Sequence, residues 1–259
     1  MKKSSVWAVF YPIFVYYLIS ACVFFSLNIL IGEAQEIYML KQLISSGATI
    51  PCLIAFWKQD NEAERVVYGK QKRSLKQYMM QAALTCMAVG AFGIAVNNFI
   101  AMTPLVHVSA GFQTANENFF GGDVLLQILA SCVVVPVAEE LLFRGIVLKR
   151  GAMLASEGMG IFCSAVLFGI IHMNLVQFIY AALLGALLAV IVTKTRRVSL
   201  AVLGHATANL IAILRASSGI LDFSYQPTVA GIGFSVGMLV LGVGAMMVLV
   251  RYSKEFAME

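Results

Sequence analysis

Eight long apolar stretches, separated by short polar ones, divide this 259-residue chain. They run roughly over 6–31, 38–57, 77–101, 123–148, 159–173, 175–193, 198–215 and 228–251. A helix rising 1.5 Å per residue needs about 20 apolar residues to cross the hydrocarbon core of a bilayer, and most of these stretches come close to that or exceed it. The fifth and sixth are shorter. They predict a helical hairpin that turns near Met173 and Asn174 and does not fully reach the far face. Small residues at Ala181, Gly185 and Ala189 share one face of the sixth stretch and permit close helix packing. No long-period repeat or low-complexity tract breaks the pattern. The fold class is therefore all-α: a polytopic membrane protein of about eight transmembrane helices, forming a single membrane domain over 1–259.

Composition sharpens that reading. Hydrophobic residues make up 60% of the chain, charged residues only 12%, and the mean hydropathy is +0.87. A soluble domain of this length cannot bury so much apolar surface. The net charge of +5 does not point to a nucleic-acid partner, because the basic residues lie in short loops between spans. There they act as topology signals. With the N-terminus in the cytoplasm, fifteen of the eighteen Lys and Arg fall on the cytoplasmic side. Only Lys41 and Arg215 lie near the opposite face, and Arg144 lies within the membrane. This count predicts an even number of spans and both termini inside. The first stretch is longer than a signal-peptide core and lacks a small-residue cleavage site, so it is expected to remain as a span. The carboxyl end, Phe-Ala-Met-Glu, is not a prenylation box, so no lipid anchor of that kind is expected. Cys22, Cys52, Cys86, Cys132 and Cys163 all lie in apolar stretches without CxxC spacing and are expected as apolar filler. The polar stretch from Met102 to Gly122 reads as an outer loop in which His107 is a surface histidine, and the charged segment from Trp57 to Gln77 as a solvated loop or short surface helix beside anionic lipid. Compact size and short loops suggest a bacterial plasma membrane.

Polar chemistry within the spans falls in three places. In the fourth stretch, Glu139 and Glu140 are followed by Arg144. Adjacent carboxylates in an apolar helix cost several kcal/mol on any insertion scale, which makes function the default hypothesis. Glu140 and Arg144, four apart, share a helix face and can form an ion pair. Glu139 is turned about 100° away and is the freer carboxylate, suited to a general base. Pro136 upstream predicts a kink. Phe168 and His172 share a face in the fifth stretch, so the ring can wall a substrate site beside the imidazole. His205 and Asn209 share a face in the seventh and can present two donors to one oxyanion. Together these residues suit hydrolysis of a peptide bond: Glu139, helped by His172, deprotonates water, and His205 with Asn209 stabilises the tetrahedral oxyanion. Glu139 lies about ten residues before Lys149 and His205 about eight after Arg197, or roughly 15 Å and 12 Å deep, so the site is expected to open towards the cytoplasm. Zinc held by Glu139, His172 and His205 is chemically allowed, but HExxH spacing is absent and a metal-free site is favoured.

The three blocks, Glu139-Glu140-Leu-Leu-Phe-Arg144, Phe168-Gly-Ile-Ile-His172 and His205-Ala-Thr-Ala-Asn209, resemble in pattern and order the CPBP family of CAAX proteases and bacteriocin-processing enzymes, also called the Abi family. The resemblance covers a core of about 123–215. It implies an intramembrane endopeptidase with Glu139, His172, His205 and Asn209 catalytic and Glu140 and Arg144 supporting. The implied partners are the lipid bilayer and a hydrophobic or lipidated peptide or protein substrate. Two rival functions remain open: a non-catalytic membrane peptide-binding or immunity protein, and a proton-coupled carrier. Carriers usually show inverted repeats and interrupted helices in both halves, whereas the polar residues here occupy one half.

Overall fold

The computed structural model describes residues 5–68 and 74–255. Lys2, Lys3, Lys70, Lys72, Arg73 and the carboxyl-terminal Phe-Ala-Met-Glu, all used in the charge and anchor reasoning, lie outside the described residues. The described chain is helical, with no strand. Its main helices are α1 (Val6–Ile31), α2 (Tyr38–Tyr68), α3 (Leu75–Ala101), α4 (Ala110–Phe120), α5 (Val124–Leu154), α6 (Glu157–Ile170), α7 (Leu175–Thr195), α8 (Val198–Ser218) and α9 (Val229–Glu255). Seven of these are long and apolar enough to cross a membrane, and α6 is a shorter apolar helix. The eight stretches read from the sequence thus map one to one onto helices.

Polar residues set the helix ends. Asp123, Ser156 and Asn174 accept from the backbone N–H groups of Leu126, Met159 and Gln177, closing the starts of α5, α6 and α7. Helix α8 ends at Gly219, whose φ of +67° suits a residue without Cβ. Between α6 and α7 the chain reverses at Met173 (φ +58°), where the hairpin turn was expected. Its 14 residues make α6 about 21 Å long, less than a hydrocarbon core. The turn satisfies its own backbone: the Asn174 amide donates to the His172 carbonyl at 3.0 Å. Helix α4 reaches the tip, with Gly111 against Asn174.

Two expectations change. The charged segment after Trp57 is not a separate surface helix; α2 continues through it to Tyr68. Arg150 fastens this extension by pairing with Asp60 at 2.8 Å. The polar stretch before α5, read as a loop, folds as α4, capped by Ser109.

Helix α5 runs through the middle, packed on α2 and α1 at one side and α8 at the other, while α3 packs against α7, α8 and α9. One buried cluster joins α1, α2, α5 and α6 around Leu53, Leu142, Phe143 and Phe168. A second joins α3, α7, α8 and α9 around Val89, Leu188, Leu200 and Leu249. The polar residues of α5 lie where α8 packs on it, and Phe168 of the first cluster reaches Arg144 among them.

Candidate active site

Helix α5 is not regular where its carboxylates sit. A regular stretch, Val135–Glu140, lies between two wider π-wound stretches, Leu129–Val134 and Leu141–Val147. Such stretches recur at functional sites because each shifts the direction of the side chains beyond it. Pro136 opens the regular stretch, where its missing N–H is absorbed by the change in winding.

Glu140 is fully buried and holds two partners on one oxygen. Arg144 Nη1 donates to its Oε1 at 2.9 Å, and His205 Nδ1 lies 2.9 Å from the same atom. The pairing of Glu140 with Arg144 is thus as expected, and His205 joins it from α8. The Arg144 guanidinium, also fully buried, stacks 4.4 Å from the centroid of the Phe168 ring. Its Nε and Nη2 meet no acceptor among the described residues. Gly185 makes room for it: a Cβ there would lie 2.9 Å from Nη2.

Glu139 differs. Its carboxylate makes no hydrogen bond among the described residues, and the nearest ionisable group facing it is His205 Nε2 at 3.9 Å. That distance exceeds a direct hydrogen bond but suits two groups holding one water between them. His205 is therefore bracketed by both carboxylates, one on each ring nitrogen.

Phe168 is the hub of the cluster. The His172 and His205 rings pack edge-to-face with it at 5.2 Å and 5.7 Å. Only 2% exposed, the ring expected to wall a substrate site packs against Arg144 and the two imidazoles. His172 lies just beyond the end of α6, in the turn, with Nδ1 2.8 Å from the Phe168 carbonyl.

These contacts constrain the tautomers. A carbonyl facing His172 Nδ1 requires a proton on that nitrogen, and a carboxylate facing His205 Nδ1 favours the same. Each neutral ring then presents Nε2 as an acceptor. The structure thus brings Glu139, Glu140, Arg144, Phe168 and His205 together, with His172 across the Phe168 ring. Asn209 is turned elsewhere: its amide donates to the Ser131 carbonyl at 2.7 Å, leaving one amide hydrogen for other use. Of the two donors expected at one oxyanion, His205 faces Glu140 through Nδ1 and Asn209 faces the Ser131 carbonyl.

Zinc fits these residues poorly as arranged. Among the described residues no three His, Cys, Asp or Glu side chains group to hold a metal ion. The 3.9 Å between Glu139 and His205 is also wide for two ligands of one zinc, given bonds of about 2.0–2.2 Å.

Sequence reasoning missed Ser131, whose role lies in its backbone carbonyl, and Gly185, read only as a small packing residue. It also missed Tyr16 of α1, which shares a buried cluster with Ala138 and Leu142, the residues around Glu139. None carries a motif signal. In comparison with known proteins, residues 121–211 match the family model for type II CAAX prenyl endopeptidase Rce1-like proteins. No curated protein and no solved structure matches the chain.

Proposed function

We propose, from the match of residues 121–211 to that family model and from the geometry of the site, that the protein is an intramembrane endopeptidase that hydrolyses a peptide bond in a hydrophobic or lipidated peptide or protein. The observation that supports this most strongly is the nearly buried pair of Glu139 and His205 Nε2, 3.9 Å apart, beside a fully buried Glu140–Arg144 pair.

In this reading, a water donates one hydrogen to the Glu139 carboxylate and the other to His205 Nε2, which leaves an oxygen lone pair for the carbonyl carbon. Glu139 takes the proton as the C–O bond forms, then passes it to the leaving nitrogen as the C–N bond breaks. Glu140 and Arg144 do not touch substrate; they fix the tautomer and orientation of His205. The remaining amide hydrogen of Asn209 serves the oxyanion. His172, held by the Phe168 carbonyl, supplies a second basic nitrogen nearby. No metal takes part. Both termini lie in the cytoplasm, towards which the site opens, and the membrane is a bacterial plasma membrane.

The test compares cleavage of a panel of lipidated and unlipidated hydrophobic peptides by reconstituted wild type, Glu139→Ala and His205→Ala, with metal content measured on the same samples. Loss of turnover in both variants, with stoichiometric metal absent and chelators without effect, supports the reading. Turnover surviving Glu139→Ala overturns it. Peptide binding without cleavage by wild type indicates a binding protein instead.

A further inference from the structure

Helix α1 stands at the edge of the bundle. Little of its apolar stretch is buried, and it packs chiefly on α2 and α5. Between α1 and α2 lies a groove of about 360 Å³, open along one side and within the size range of small-ligand sites. Tyr17, Ser20, Phe24 and Asn28 of α1 and Tyr38 and Gln42 of α2 wall it. The α1 residues recur every three or four positions, so they form one helix face, roughly 16 Å long at 1.5 Å per residue.

One end of the groove leads to the candidate active site. Tyr17, partly exposed at that end, packs edge-to-face on Tyr16 with 5.2 Å between ring centroids. Tyr16 is buried in the cluster that holds Ala138 and Leu142, and both phenols are near enough to Glu139 to act on it through space. The other end carries hydrogen-bonding capacity that the fold does not use. Asn28 Oδ1 accepts from Lys41 at 2.7 Å, and Gln42 Nε2 donates to the Tyr38 hydroxyl at 2.9 Å. The Asn28 amide hydrogens and Gln42 Oε1 meet no partner among the described residues. A hydrocarbon chain in the groove would leave these groups unmatched. An extended peptide brings N–H and C=O groups that match them, and it has the same need in an apolar medium. At about 3.3 Å per residue, roughly five extended residues span the groove, with alternate side chains turned to its aromatic wall.

We propose that this groove holds a short extended stretch of apolar, unlipidated residues of the substrate, beside the bond that is cut. The assignment rests on the peptidase function proposed above and narrows its substrate to an apolar polypeptide.

Purified full-length Glu139→Gln, which leaves peptide intact, is titrated in detergent with a fluorescent, unlipidated, leucine-rich peptide. Adding Ala21→Trp, which puts an indole into the groove wall, should weaken binding on the order of tenfold. Leu18→Trp, on the exposed side of α1 outside the groove, should leave binding unchanged. A photoreactive leucine in the peptide should label α1 between Tyr17 and Asn28, a readout that needs no substitution in the groove. Binding unaffected by Ala21→Trp, or label placed elsewhere, overturns the proposal. Displacement of the peptide by a myristoylated polar peptide also overturns it, making the groove a hydrocarbon site. Groove-dependent binding without turnover by wild type would remove the peptidase reading and leave the peptide site. Turnover indifferent to Ala21→Trp would do the reverse.

Discussion

Glu139 and Glu140 are neighbours in sequence but not in role, and substitution should separate them. Glu139 has no hydrogen bond to lose among the described residues, so Glu139→Gln should fold like wild type. Its turnover should fall about 10²–10⁴-fold, the usual contribution of a positioned general base, in the peptide cleavage assay. Glu140→Gln should behave otherwise. Removing that charge strands the buried Arg144 and frees His205, which loses its 2.9 Å partner. Breaking a buried pair in this way costs about 3–5 kcal/mol, so a clear drop in Tm should accompany lost activity. If both variants melt like wild type, Glu140 is not the support described here. Asn209→Ala should fall between them: it gives up one hydrogen bond to a backbone carbonyl, with a kcat loss of about 10²–10³-fold if its other hydrogen serves an oxyanion.

At the scale of helices, the site depends on how closely α7 approaches α5. Gly185→Val should insert methyl groups where even a Cβ would meet Arg144 Nη2 at 2.9 Å and the Phe168 ring at 3.1 Å. Overpacking of this kind costs about 1–3 kcal/mol, and here it should also misplace the ring that seats both imidazoles. Thermal melting together with kcat checks this; Val tolerated in both would mean that α7 moves freely against α5. The sequence showed Gly185 only as part of a small-residue face, since nothing local says which side chain will occupy the space. Helix number and most helix positions were legible because a bilayer imposes apolar length directly on composition. The Glu140–Arg144 pair was legible because four-residue spacing is a helix property. The direction of Asn209 was not, since it depends on a Ser131 carbonyl carried in by the π-wound stretch of α5. Nor was the burial of Phe168, which follows from four groups closing on one ring.

For the whole molecule, the remaining question is which way the bundle faces. The segments joining α1 to α2, α3 to α5 and α8 to α9 contain no Lys or Arg at all. The two cations once assigned to that side are not solvated there. Lys41 is buried and donates to Asn28 at 2.7 Å, and Arg215 is buried beside Asn98 and Ser224. The opposite side therefore carries every basic loop residue, a stronger bias than simple counting suggested. A fluorescent protein fused to the carboxyl end should light up in cells, while a phosphatase that works only outside should stay inactive in the same place. Adding two or three arginines to the loop between α8 and α9 should oppose this orientation and reduce the yield of active protein. An active phosphatase fusion on the unmodified chain would invert the bundle and turn the Glu139 site away from the cytoplasm. The chemistry of that site would stand, but its substrates would have to reach it from the other side.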